Sequence, residues 1–282
     1  MSWQRLLFDN TPVYLHQTTA DWFVPNASAD ALLQKADESI AYQSLLSRIA
    51  KPNPEVYTPA LQGTYPLREF WIHVTNRCNL ACTHCLFSSS PKEQDVLAYD
   101  VMLKHINAAY NLGCRLFVLS GGEPLVYPKI LELIETILSL KETRVVILTN
   151  GLLLEKIFTC KTYERSRIQF QISLDGMPNE HDAIRGRGSF EKLETNLAWL
   201  KAEGYTFSLS TCVHPSNVHT LEPLLEVVKT LGATHLHLLW HFLRGRDDDK
   251  AYMDTDILCE AVVRLYKKAQ RQGIVIDNIE AL

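Results

Sequence analysis

The segment RIQFQISLD, residues 167–175, is where the fold declares itself. Neighbouring side chains on a strand point to opposite faces, so Ile168, Phe170, Ile172 and Leu174 share one face while Gln169, Gln171, Ser173 and Asp175 share the other. A helical run, SFEKLETNLAWLKAEG (189–204), follows, and then a second alternating run, YTFSLSTCVH (205–214). Two strands joined by a helix form a parallel crossover unit. The unit recurs in both directions. On the amino side lie EFWIHVTN (69–76), DVMLKHINAAYNLG (100–113), RLFVLSGG (115–122), PKILELIETILSL (128–140), TRVVILTNG (143–151) and a helical 152–162. On the carboxyl side lie TLEPLLEVVKTLG (220–232), THLHLLWHFL (234–243) and DILCEAVVRLYKKAQRQG (256–273). Six such units fall short of a full eightfold barrel of about 250 residues. They predict an α/β chain whose residues 66–282 form a partial (β/α)6 parallel barrel.

The other two-faced strands carry the same message. Phe70, Ile72 and Val74 oppose Trp71, His73 and Thr75; Phe207, Leu209, Thr211 and Val213 oppose Ser208, Ser210, Cys212 and His214. Leu236, Leu238, Trp240 and Phe242 oppose His235, His237, Leu239 and His241. The apolar faces are expected against the helices and the polar faces on the concave side, which predicts a wet lumen that takes a ligand. A half-exposed antiparallel sheet alternates too, but the helices between these strands argue against it.

Residues 1–65 read as a small α+β domain of another kind. PVYLH (12–16) and DWFVP (21–25) suggest a hairpin, Ser28 a cap for a helix through ADALLQKA, and SIAYQSLLSRIA (39–50) a second helix. Pro52, Pro54, Pro59 and Pro66 then mark a linker.

Composition narrows the function. The 282 residues are 46% hydrophobic and 21% charged, with a net charge of −4, and no long basic run offers the clustered cations that bind nucleic acid. No apolar stretch approaches the roughly 20 residues that cross a bilayer, and the opening MSWQRLLFDN lacks the order of a signal peptide. The sequence therefore reads as cytoplasmic, without a membrane partner, acting on a peptide or a small molecule. Of seven cysteines, Cys114, Cys160, Cys212 and Cys259 are scattered, as small structural hydrophobes are. The other three fall in VTNRCNLACTHCLF (74–87): Cys78, Cys82 and Cys85 directly follow the first strand of the series, at the strand end where ligand sites of parallel sheets gather. Three soft thiolates suit a 4Fe-4S cluster with one iron left open. Structural zinc, the alternative, needs a fourth ligand, which would have to be His84, within the loop, or His73, and no second Cys or His pair at finger spacing follows.

The Cys-x3-Cys-x2-Cys spacing, with Asn79-Leu80 after the first cysteine and His84 before the third, resembles the radical S-adenosylmethionine (radical SAM) superfamily. Gly121-Gly122-Glu123-Pro124, after the second strand, looks like that family's GGEP motif. The resemblance covers roughly residues 69–245. It implies one 4Fe-4S cluster on Cys78, Cys82 and Cys85, whose open iron binds the amino and carboxylate groups of S-adenosyl-L-methionine. An electron from a donor such as a flavodoxin or ferredoxin then splits the sulfonium, and the resulting 5′-deoxyadenosyl radical takes hydrogen from the substrate. Gly122, Glu123 and Pro124 are carried over as cofactor-binding; the glycines permit close backbone approach and Glu123 offers acceptors to an ammonium. Ser173-Leu174-Asp175-Gly176 resembles the family's SLDG segment, which places Ser173 and Asp175 near the cofactor's ribose or amino-acid part. Asn150, ending the third strand, is a further candidate or an ordinary turn residue.

Several residues stay unassigned. Arg185, in HDAIRGRGSF, is read as a loop charge or the partner of a carboxylate, and His214, His237 and His241 share the lumen face without a catalytic role. HFLRGR (241–246) resembles the end of the sixth strand in a peptide-modifying subgroup with further clusters in a C-terminal extension. Cys259 alone cannot ligate such a cluster, so that extension reads as missing. Residues 1–65 fit a module that captures a leader peptide by strand addition, which favours a peptide substrate. A cofactor-biosynthesis enzyme acting on a porphyrin, pterin or quinone precursor is the alternative. An iron–sulfur electron carrier or redox sensor is the alternative of another class.

Overall fold

A computed structural model of the chain describes residues 3–8, 11–16, 22–35, 39–49, 67–242, 244–246 and 253–280. Backbone contacts divide the chain into two compact units, Met1–Tyr65 and Pro66–Leu282. The proline-rich stretch read as a linker lies outside the described residues.

In the first unit β1 (Trp3–Phe8), β2 (Thr11–His16) and β3 (Trp22–Phe23) form an antiparallel sheet in the order β1-β2-β3. The expected hairpin is therefore its second half, and β1 is a strand that the sequence reading missed. Helix α1 (Ala27–Lys35) is capped by Asn26, whose side chain accepts from the Ala29 N–H at 2.9 Å; Ser28 lies inside its first turn. Helix α2 (Ile40–Arg48) is capped by Ser39. Tyr14, Leu33 and Tyr42 make the small core. Beside it the buried Asp30 accepts two bonds from Arg5 at 2.8 Å each, one from Tyr14 and one from Gln34.

In the second unit each alternating run forms its strand: β4 (Glu69–His73), β5 (Leu116–Ser120), β6 (Arg144–Thr149), β7 (Ile168–Ser173), β8 (Thr206–Val213) and β9 (His235–Trp240). They pair in parallel in sequence order, and a two-residue β10 (Val275–Ile276) adds a seventh strand beside β9. The fold is thus an open α/β half-barrel with β4 and β10 at its edges. Connecting helices are α3 (Tyr99–Asn111), α4 (Ile130–Ser139), α5 (Leu154–Phe158), α6 (Pro178–Arg185), α7 (Ser189–Ala202) and α8 (Leu221–Thr230). Helix α9 (Thr255–Gln272) leads into β10, and α10 (Asp277–Glu280) follows. The apolar strand faces meet the helices as expected: Phe117, Ile147, Phe170, Leu209 and Leu236 are fully buried.

Three expectations change. The stretch around HDAIR is a helix, because Pro178 suits a first helical position, Glu180 accepts the Met177 N–H, and only Gly186, at φ +115°, ends it. Trp240 and Phe242 are not packed under helices but 42% and 61% exposed, since the ladder ends at Trp240 and strand parity stops ruling there. The lumen is not uniformly polar either. Leu80, Leu148, Leu239 and Trp240 line it together with Ser173 and His241, because a parallel sheet covered on both faces carries apolar residues on both.

Candidate cluster and cofactor site

The strand ends bring the separate motifs to one place. Cys78, Cys82 and Cys85 open on a single cavity of about 290 Å³, whose walls also include Gly122, Asn150 and Ser173. The reason for the glycines is in the backbone. Gly122 donates to the Thr75 carbonyl at 2.7 Å and Glu123 to that of Arg77 at 3.0 Å. A Cβ on Gly121 would lie 2.5 Å from the Thr75 oxygen, and one on Gly122 2.5 Å from that of Arg77. The close approach these glycines permit is therefore to the chain leading into Cys78, and the two motifs brace each other.

Glu123 and Asp175 sit behind the cavity wall, both fully buried. The Glu123 carboxylate accepts from Leu125 N at 3.0 Å, Thr149 Oγ1 at 2.8 Å and Asn150 N at 2.8 Å. Three donors hold it as a bracket for the β6 end, and Pro124 starts the short turn beneath. Asn150 in turn donates through Nδ2 to Asn79 Oδ1 at 2.8 Å, fastening that bracket to the cysteine loop. Asp175 Oδ2 accepts from Arg185 at 2.7 Å and meets His84 Nε2 at 2.8 Å, while Oδ1 accepts from Cys212 N at 2.9 Å. Burial alone would raise the Asp175 carboxyl, but the Arg185 guanidinium and His84 outweigh it and hold it below the usual carboxylate range. The Thr83 N–H bonds the Ile184 carbonyl at 3.0 Å, so α6 holds the loop directly by its backbone and, through the Arg185–Asp175–His84 chain, indirectly by side chain.

The donor set fits an iron–sulfur cluster. Leu80 N–H points at Cys78 Sγ at 3.4 Å and Ser89 N–H at Cys85 Sγ at 3.2 Å, which is how backbone amides stabilise thiolates. Burial pushes the Cys78 thiol up to about 12 and raises that of Cys82; a bound cationic metal reverses that preference. Among the described residues no three His, Cys, Asp or Glu side chains converge tightly enough for a single metal ion. In a cluster each thiolate binds a different iron, so three cysteines around one cavity suit it without meeting at a point. His84 Nδ1 is buried at the cavity wall without a hydrogen-bond partner, a vacancy that a bound group can fill.

The remaining candidates scatter. His241 lines the cavity with its ring 4.8 Å from that of His214, whereas His237 bonds Asp277 at 2.6 Å at the sheet edge. Cys114 is fully buried, Cys160 and Cys259 are exposed, and Cys212 reaches the cavity. Sequence reasoning missed Thr149, whose signal was its place beside Asn150 at a strand end. It noted HFLRGR but missed that Arg246 bonds the Cys82 carbonyl and, at 2.7 Å, that of Ser89, a contact that no local pattern marks.

Among the described residues no helix is long and apolar enough to cross a membrane. The chain is 32% identical over 180 residues to the antilisterial bacteriocin subtilosin biosynthesis protein AlbA of Bacillus subtilis, a match over 62% of this chain and 40% of AlbA. It is also 32% identical over 181 residues to the AdoMet-dependent heme synthase of Methanosarcina barkeri, over 62% and 51% of the two chains. The chain thus spans about half the length of these relatives, or less. Among solved structures, Streptococcus suis SuiB bound to its precursor peptide SuiA superposes with a TM-score of 0.64 at 12% identity, covering 98% of this chain and 70% of SuiB. That likeness is one of fold. Residues 72–228 match the family model of the radical SAM superfamily. Over half its length, with the three cysteines at the cavity, the chain belongs to that superfamily, whose cofactors are a 4Fe-4S cluster and S-adenosylmethionine.

Proposed function

We propose that this chain is a radical SAM enzyme that modifies a peptide. The observation that carries the chemistry is the convergence of Cys78, Cys82 and Cys85 with Gly122, Asn150 and Ser173 on one cavity at the carboxyl ends of the strands. When bound, the reduced cluster and S-adenosylmethionine supply a 5′-deoxyadenosyl radical that takes a hydrogen atom from the substrate. The chain's own residues position and enclose. Cys78, Cys82 and Cys85 would hold the cluster through their thiolates. Ser173 and Asn150 present polar groups to the cofactor from two strand ends, while Glu123 and Asp175 hold those ends in register from behind. Leu80, Leu148 and Trp240 add apolar surface to the cavity wall.

A peptide substrate is supported by the likeness to AlbA, by the SuiB fold solved with its precursor peptide, and by the antiparallel sheet of the first unit, whose edge suits strand addition. The equal identity to a heme synthase keeps a small cofactor precursor as the second reading. The electron comes from a flavodoxin or ferredoxin type of donor. Anaerobic reconstitution with iron and sulfide, reduction and addition of S-adenosylmethionine are expected to yield 5′-deoxyadenosine by chromatography, and the Cys82→Ala variant none. A reduced, loaded protein that binds no S-adenosylmethionine would overturn the proposal.

A further inference from the structure

Two residues after β9 reach back across the mouth of the half-barrel to the cysteine loop. The Arg246 N–H bonds the Cys85 carbonyl at 3.0 Å. Its guanidinium bonds the carbonyls of Cys82 and, at 2.7 Å, Ser89. One arginine therefore ties three carbonyls that flank two of the three cluster thiols, across 157 and 164 residues of sequence for the side-chain bonds. Gly245 makes the approach possible. It adopts φ +84°, and a Cβ there would lie 2.2 Å from the Cys85 oxygen and 2.5 Å from that of Leu86. Neither residue falls in the stretch matched to the family model, which ends at 228.

We propose that Gly245 and Arg246 are positioning residues: a strap that holds the cysteine loop closed on its cluster and sets how slowly the cluster is lost. The proposal rests on the reading that Cys78, Cys82 and Cys85 carry that cluster. The reasoning is geometric. Cys82 and Cys85 lie on an irregular loop whose shape depends on its tertiary partners: Ile184 of α6 holds Thr83, Asp175 holds His84, Asn150 holds Asn79, and Arg246 holds the Cys82 and Cys85 carbonyls. The planar guanidinium fork spans two carbonyls at once, which a lysine ammonium cannot match.

The test measures cluster release rather than turnover. The full chain and its Arg246→Ala, Arg246→Lys and Gly245→Ala variants are reconstituted anaerobically. Iron content is measured, the loss of sulfur-to-iron absorbance is followed under a ferrous chelator, and the thermal midpoint of each iron-free protein is recorded. Arg246→Ala is expected to release iron about tenfold faster or more, the scale on which hydrogen bonds to a charged group act, with Arg246→Lys between it and the parent. Gly245→Ala is expected to release at least as fast as Arg246→Ala, while the exposed neighbour's variant Arg244→Ala matches the parent. Iron-free midpoints are expected to stay within about 3 °C of the parent. Release rates in all strap variants within about twofold of the parent, or a loss that follows the iron-free midpoint across the set, would overturn the strap as a positioning device, on the same scale of hydrogen-bond strength. A parent chain that takes up no cluster would instead overturn the cluster reading, and the strap with it.

Discussion

The Glu123 carboxylate receives only neutral donors, from Leu125, Thr149 and Asn150, so burial dominates and raises it to about 7 from the ordinary 4.5. Asp175 is as deeply buried, yet the Arg185 guanidinium beside it keeps it ionised. The two carboxylates therefore leave opposite marks on the pH dependence of stability. Between about 4.5 and about 7 the folded chain holds a proton on Glu123 that the unfolded chain has released, so its contribution is fully present at the acid end and is lost as pH rises. Asp175 contributes above its unfolded value of 3.8, and that contribution is lost as pH falls. Urea unfolding of the iron-free Glu123→Gln variant is expected to show a loss of about 1–3 kcal/mol, because one buried donor then faces an amide N–H, and a flatter pH profile between the two Glu123 values. Asp175→Asn strips Arg185 of its counter-charge and is expected to lower stability by about 3–5 kcal/mol at neutral pH. A loss under about 1 kcal/mol would instead mark a guanidinium that water already reaches.

At the scale of elements, the sheet edge behind β9 is finished by a side chain. Asn278 accepts from the Leu238 N–H at 3.1 Å and donates to the Leu238 carbonyl at 2.8 Å, continuing by amide the ladder that β10 begins. Asn278→Ala is expected to reduce stability by about 1–2 kcal/mol and to speed hydrogen exchange at the Leu238 amide. Unchanged exchange would show that the edge is protected by something else. That edge was not legible in the sequence, because β10 spans two residues and has no alternation to count. β4 to β9 were legible because apolar and polar residues alternate there and helix-length runs separate them. The cysteine loop was legible from spacing, and Asn150 from its place at a strand end. The bracketing by Glu123, the helix at HDAIR and the contacts of Arg246 were not, since each depends on which distant backbone groups the fold brings into reach.

At the scale of the whole molecule, the two units have separate cores, and the proposed function assigns peptide recognition to the first and the chemistry to the second. Among its described residues the first buries Tyr14, Leu33 and Tyr42 together, beside the Asp30 carboxylate, which Arg5, Tyr14 and Gln34 satisfy. A unit of about 65 residues buries a smaller share of its surface than one of about 200, so its stability leans on that polar cluster in a way the half-barrel's does not. Asp30→Ala removes the acceptor for all three partners without changing any residue of the second unit. Scanning calorimetry of the full chain is expected to show two transitions, with the variant lowering or abolishing one and leaving the other in place. Iron content and 5′-deoxyadenosine formation with a chemical reductant are expected to match the parent. Modification of a peptide substrate is expected to fall, because strand addition needs an intact sheet edge. Were iron content to fall with the first transition, cluster assembly would depend on the first unit, and the division into a recognition unit and a chemical unit would not hold.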